Sequence, residues 1–248
     1  DQAAAGDGLQ TFALGLNKRL AVDAGRSGNL VFSPLSIYAA LSLVAAGARD
    51  RTLDELLGVL GAPSRDFLAG YVRTLTEQVL ADRSRTGGPR ISFACGAGDG
   101  LWRLTDKIVC NPDFLRKHLP RNTVLVGDFR MPKFKVSFGM TMDDVLREMG
   151  VKEAFELGKA DLSDMAEDGA RRKLALEQVI HRAVIEVNEE GTEAAAATCM
   201  VPATCSPNPA LPPPCVDFVA DHPFAFFVIE EVSGTILFAG HILDPTIK

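Results

Sequence analysis

Cys205 is the residue whose chemistry comes first to mind. A thiol attacks only as the thiolate, and it needs a base such as histidine beside it. The 248-residue chain has four histidines, His118, His181, His222 and His241, and none is identifiable as that base. They also lack metal-ligand spacing, so each is read as a structural hydrogen-bonder. No serine near a histidine sits on a nucleophile-elbow pattern. The five cysteines, at 95, 110, 199, 205 and 215, are odd in number and contain no C-x-x-C pair. Neither a zinc site nor a complete disulfide framework is indicated, and free thiols fit a reducing compartment. The residue types therefore assign no catalytic residue, no metal and no cofactor, and the chain does not read as an enzyme. What stands out instead is the stretch Gly191-Thr192-Glu193-Ala194-Ala195-Ala196-Ala197-Thr198, followed by prolines at 202, 207, 209, 212, 213 and 214. Taken alone, the alanines would form a short helix capped by Thr192.

The elements around that stretch follow from periodicity and turn chemistry. Residues 9–21 carry Leu9, Phe12, Leu16 and Leu20 near helical spacing. Ser33 can cap the next helix, with Pro34 in its first turn, where the missing N–H costs nothing. From Leu35 to Ala46 the helix is apolar almost all round, which predicts burial on most faces. Thr52-Leu53-Asp54-Glu55 predicts a capping box at the start of a third helix, which Gly61 stops. Residues 64–82 continue as helix to the breaker Thr86-Gly87-Gly88-Pro89. Ile91–Cys95 reads as a strand without a second half, followed by helices over Leu101–Val109 and Pro112–Leu119. Strands are predicted at Thr123–Phe129, Lys133–Phe138 and Ala183–Val187. A helix over Gly139–Gly150, capped by Thr141, lies between the last two. Phe224–Ile229 and Thr235–Ala239 read as a hairpin of core strands about Ser233-Gly234.

Composition bounds the rest. With 47% apolar and 23% charged residues the chain can build a core, and its net charge of −6 disfavours a nucleic-acid partner. Arg171-Arg172-Lys173 is a solvated turn on this reading. No stretch approaches membrane-spanning length. Asp1-Gln2-Ala3-Ala4-Ala5 lacks the basic start and apolar run of a signal peptide, which points to a soluble protein of the cytoplasm or nucleus. The extracellular space stays open if a segment precedes Asp1.

The neighbours of the alanine stretch change its meaning. Val187-Asn188-Glu189-Glu190-Gly191-Thr192-Glu193-Ala194 leads through a long loop to Asp217-Phe218-Val219-Ala220-Asp221-His222-Pro223-Phe224. Upstream stand Asn29-Leu30-Val31-Phe32-Ser33-Pro34-Leu35-Ser36-Ile37, then Ala46-Gly47-Ala48 with Thr52 and Glu55. Met131-Pro132-Lys133-Phe134-Lys135, Ala160-Asp161-Leu162-Ser163 and Leu237-Phe238-Ala239-Gly240-His241 with Pro245 follow in order. In this order and combination they resemble the serpin family over nearly the whole chain. Ala220–Phe224 is similar to plant members in particular, and Ala225 departs by standing where a bulkier apolar residue is usual.

The resemblance implies an α+β fold, helices packed on antiparallel or mixed sheets. It also implies a protease inhibitor whose reactive loop, about 191–216, is cleaved and inserts as a new strand into the large sheet. Glu190, Gly191, Thr192, Glu193, Ala194, Ala195, Ala196 and Ala197 would form the hinge. Small side chains ease entry into a packed sheet, and Gly191 permits the backbone rotation. About ten new ladder bonds at ~1 kcal/mol each would release on the order of 10 kcal/mol. The family's spacing places the scissile bond at Cys205-Ser206. Cys205 is neither basic nor large and aromatic, which leaves a serine protease accepting small side chains or a papain-like cysteine protease. Pro202 is adverse, because it cannot donate to a ladder.

The resemblance breaks between Cys95-Gly96 and Asp99-Gly100. Residues before the break match the start of a strand in the large sheet, and residues after it match helices far downstream. The expectation is a single incomplete domain over 1–248, with the central part of the large sheet missing. Its N-terminal helical part spans 1–96 and its C-terminal part 97–248. Open strand edges then predict self-association. The alternative to an inhibitor is a truncated remnant that is cleaved as a substrate or only binds a partner.

Overall fold

Leu30, Val31 and Phe32 show how this core is built, since three consecutive apolar residues of a strand need cover on both faces. In the computed structural model, residues 2–23, 28–79, 90–95, 100–118, 126–165, 174–188, 216–230 and 233–247 are described. The helices are α1 (Gln2–Asp23), α2 (Pro34–Gly47), α3 (Asp50–Leu60), α4 (Arg65–Val79), α5 (Gly100–Cys110), α6 (Pro112–His118) and α7 (Asp143–Met149). The strands are β1 (Leu30–Phe32), β2 (Arg90–Cys95), β3 (Val126–Arg130), β4 (Phe134–Thr141), β5 (Ile180–Val187), β6 (Val216–Val219), β7 (Phe224–Ile229) and β8 (Ile236–Ile242).

Among the described residues the strands form three sheets. One has four strands in the order β1-β8-β7-β2, all antiparallel neighbours; the others are the parallel pair β3-β6 and the antiparallel pair β4-β5. Alternate residues of the four-stranded sheet feed two cores. Leu30, Phe32, Phe227 and Ile229 pack with α1, α2 and α3 through Phe12, Leu16, Tyr38, Leu41 and Leu56. Val31, Phe224, Phe226 and Val228 pack on the other side with Phe134, Val136, Ala183 and Val187 of β4 and β5. All six residues of β7 are therefore buried. The architecture is α+β, and among the described residues two strands, β4 and β5, stand where a large sheet is expected.

Several expectations hold in detail. Ser33 accepts a hydrogen bond from the Ser36 N–H at 3.2 Å, with Pro34 in the first turn of α2. Gly61 ends α3 with φ +64, a conformation that glycine adopts without strain. The hairpin β7–β8 runs from Phe224↔Ile242 to Ile229↔Ile236.

Other expectations fail, each because tertiary contacts outweigh a local pattern. Ile91–Cys95 is a strand, but it pairs with β7, Cys95 opposite Phe224 and Arg90 opposite Ile229, and does not join β4 and β5. Five residues further on the chain is already in α5, which packs on α1 and β7, so the strand stays beside β7. Thr52 and Glu55 form no capping box. The helix begins at Asp50, behind an Arg49 that makes no side-chain cap, and both side chains serve a distant segment described below. Thr141 ends β4, and α7 starts two residues later behind Met142. Finally, α2 buries Ile37, Tyr38, Leu41, Ser42 and Ala45, whereas Leu43 on its other side is 69% exposed. Among the described residues its main packing partners are α1, α3, α4 and β8, which meet its buried face.

Candidate functional site

The expected hinge, Glu190, Gly191, Thr192, Glu193, Ala194, Ala195, Ala196 and Ala197, and the expected scissile pair Cys205 and Ser206 lie outside the described residues. The elements on either side are described: β5 ends at Val187, and β6 begins at Val216.

β5 alternates strictly at its start, with His181 and Ala183 buried and Ile180, Arg182 and Val184 exposed. That period places one face on the β4–β5 core and the other toward solvent. Its register with β4 is unbroken over eight pairs, from Thr141↔Ile180 to Phe134↔Val187. On the outer face Lys135 and Glu186 stand opposite each other with Nζ to Oε2 at 2.7 Å. Val187 and Phe134 close the inner face, and Phe134 lies 6.0 Å from the Phe224 ring centroid. The end of β5 is thus tied to β7, a strand buried along its whole length.

His181 anchors the other end of β5. It is 5% exposed, and its Nε2 accepts the Ser33 backbone N–H at 3.1 Å. An accepting Nε2 carries no proton, so the ring is the neutral Nδ1–H tautomer. Burial lowers its pKa from the usual histidine value, which favours the same form. A cation there would also face the positive N-terminal end of α2. The sequence marked His181 as structural but not its partner, because Ser33 is 148 residues away and the pairing has no local signal.

β6 is held as firmly. Phe218 stacks on Phe129 with ring centroids 5.4 Å apart, and the Asp128 N–H donates to Asp217 Oδ1 at 2.9 Å. The Ala220 N–H donates to the Arg130 carbonyl at 2.8 Å. His222 pairs with Asp221, His118 with the Phe114 carbonyl, and His241 with the Gly28 carbonyl beside the edge of Trp102. Among the described residues no group of three or more His, Cys, Asp or Glu could hold a metal ion.

The motifs that carry the resemblance touch one another across the chain. Asn29 Oδ1 accepts the N–H groups of Leu243 and Asp244, while its amide donates to the carbonyls of Asp244 and Ile247. Thr52 Oγ1 accepts the Asp161 N–H at 3.0 Å and donates to Glu153 at 3.2 Å. Glu55 Oε2 accepts the N–H groups of Lys152 and Glu153, each at 2.8 Å. Burial opposes ionisation of Glu55, but the two amides and Arg51 outweigh it and hold the carboxyl below its ordinary range. Gly47 accepts the Asp164 N–H, and a Cβ at that position would lie 2.3 Å from Met165 Cβ. Asp164 in turn binds the guanidinium groups of Arg49 and Arg65. The segments on either side of residues 96–99 thus hold each other.

Comparison with known proteins agrees with this assembly. The profile of the family described as Serpin (serine protease inhibitor) matches residues 7–118 and 96–245. Serpin-Z2B of Oryza sativa subsp. japonica is 35% identical over 406 aligned positions, covering 99% of this chain and 99% of the relative. Set against 248 residues, 406 positions leave at least 158 with no counterpart here, and the coverage places them inside the aligned span. Serpin-ZX of Hordeum vulgare is 46% identical over 152 residues, covering 61% of this chain and 37% of the relative. Among solved structures, the native stressed conformation of AtSerpin1 from Arabidopsis superposes with a TM-score of 0.78 at 24% identity, covering 99% of each chain. The structure described as "Cleaved Serpin 42Da" superposes with a TM-score of 0.74 at 14% identity, covering 98% of this chain and 99% of the other.

Proposed function

The chain belongs to the serpin family, and from that premise we propose that it meets proteases through residues 189–215 but is cut there as a substrate instead of trapping them. At family level it is a serpin-type protease inhibitor; the finer reading concerns what remains of the trap. Glu190, Gly191, Thr192, Glu193 and Ala194–Ala197 act as the hinge, and Cys205-Ser206 is the bond cut. The partner is a serine endopeptidase with a small specificity pocket or a papain-like cysteine endopeptidase. We place the interior gap between residues 95 and 100, so that 1–96 and 97–248 form one shortened domain. No described helix is long and apolar enough to cross a membrane, and the cytoplasm or nucleus is the proposed setting.

One observation carries this reading: among the described residues β5 has β4 as its sole strand partner. A loop inserted beside β5 would gain a ladder on one side instead of two, so roughly half of the ~10 kcal/mol expected from full pairing is forfeited. The acyl-enzyme then has time to hydrolyse before the enzyme is carried away and distorted. The family's inhibitory reading keeps one point in its favour, because the open edge of β5 leads directly into the hinge. Incubation with elastase-type serine proteases and with papain separates the two. Electrophoresis in SDS and mass spectrometry should find a cut between Cys205 and Ser206 and no covalent complex. An SDS-resistant complex would establish the trap.

A further inference from the structure

Among the described residues, the edge of β5 that faces away from β4 has no strand partner. The strand has eight residues, no proline and no bulge in its register with β4. Ile180 and Val184, both β-branched, are 62% and 55% exposed on its outer face. Alternate N–H and C=O groups along this edge point to where a further strand would lie.

We propose that a second copy of this chain fills that place, its β5 pairing antiparallel with the first β5 about a two-fold axis at Val184. The order of side chains supports this register over its neighbours. Placing Val184 opposite Val184 of the second copy sets Arg182 opposite Glu186 of the second copy, and Glu186 opposite its Arg182. On the inner face Ala183 meets Ile185 of the second copy, and His181 meets its Val187. Glu186 already stands beside Lys135, so the new pair extends a row of alternating charge across three strands, Lys135, Glu186 and the second copy's Arg182. Opposite charges on directly facing residues stabilise a strand pair and like charges destabilise it. A slip of one residue turns the apolar outer face against the inner one. A slip of two loses both charge pairs.

The chain's own residues 191–198 are the competing occupant. Ala194–Ala197 would offer Val184 and Ile180 only methyl groups, and Glu193 is the one charge there. A second β5 offers a matching isopropyl and both charges. The proposal rests on the open edge and not on cleavage, so the protease assay and the association measurement fail independently.

The test uses the whole chain and sedimentation velocity from about 1 to about 100 μM, the range in which a strand-sized contact is measurable. The wild type is expected to show reversible monomer–dimer exchange. Arg182→Glu sets two carboxylates against each other in both facing pairs, and Glu186→Arg sets two guanidinium groups against each other. Each variant should therefore dimerise about tenfold or more weakly by itself. In an equimolar mixture of the two, one facing pair of the heterodimer joins the two introduced side chains and the other joins the two native ones. Both pairs are then of opposite charge, and the heterodimer should form at least as tightly as the wild-type dimer. Both positions are exposed, and circular dichroism checks that the variants fold. Hydrogen exchange on the wild type should show amides 180–187 gaining protection with concentration. A wild type that stays monomeric, variants that associate unchanged, or a mixture that stays dissociated would each overturn the proposal.

Discussion

The four-stranded sheet and the β4–β5 pair are built from similar residues and meet opposite fates. β7, with neighbours on both sides and a core on each face, has all six residues buried. Among the described residues β5 has a strand neighbour on one side and a core on one face, and leaves Val184 and Ile180 exposed. Apolar residues in a strand therefore do not by themselves make a core; the number of surrounding layers decides. The four-stranded sheet is the frame of the described fold, and the β4–β5 pair is a platform packed on one of its faces.

A change at Gly240 tests the frame most severely. A Cβ at this position in β8 would lie 2.0 Å from the Leu30 carbonyl oxygen and 2.9 Å from the Phe226 ring. Gly240→Val should destabilise by about 4 kcal/mol or more and leave the protein insoluble or unfolded in urea titrations. A soluble, cooperatively unfolding variant would mean that β1 and β8 can part more easily than their pairing implies.

The link between frame and platform is His181. His181→Leu leaves the Ser33 N–H without its acceptor and should cost about 1–3 kcal/mol. The same contact has a pH signature. Because burial lowers the folded-state pKa, the unfolded chain takes up the proton first as pH falls below about 6.5. Stability is therefore complete above that pH and declines below it until the folded pKa is passed. His181→Gln keeps an acceptor that does not titrate, and denaturation measured at several pH values should show this contribution flattened. An unchanged profile would remove His181 from the account.

Thr52→Val removes the acceptor of the Asp161 N–H while keeping the volume, with an expected loss of about 1–2 kcal/mol in the same denaturation measurement. The smallest effect belongs to the platform's outer face. Ile180→Ser, at concentrations below dimerisation, should lie within about 0.5 kcal/mol of the wild type. A larger loss would show that this face is covered, and the contrast with β7 would fail.

How far the sequence is legible varies by residue. Ser33, Pro34 and Gly61 are readable because a cap or a left-handed turn is a contact between close neighbours. Thr52 and Glu55 match a local cap just as well, yet they bind backbone at residues 152, 153 and 161. Of the candidate site, only the roots Val187 and Val216 can be placed, and the hinge and scissile pair rest on spacing and resemblance.

By itself the sequence determined the family, the types of most elements and the order in which they occur, because those follow from periodicity, turn residues and motifs read along the chain. Only the tertiary structure decided where Ile91–Cys95 goes, what His181 binds, and which described strand has a partner on one side alone. Strand partners are chosen by surfaces distant in sequence: β2 lies along the side of β7 opposite β8. With β2 beside β7, β5 keeps β4 alone as its strand partner among the described residues.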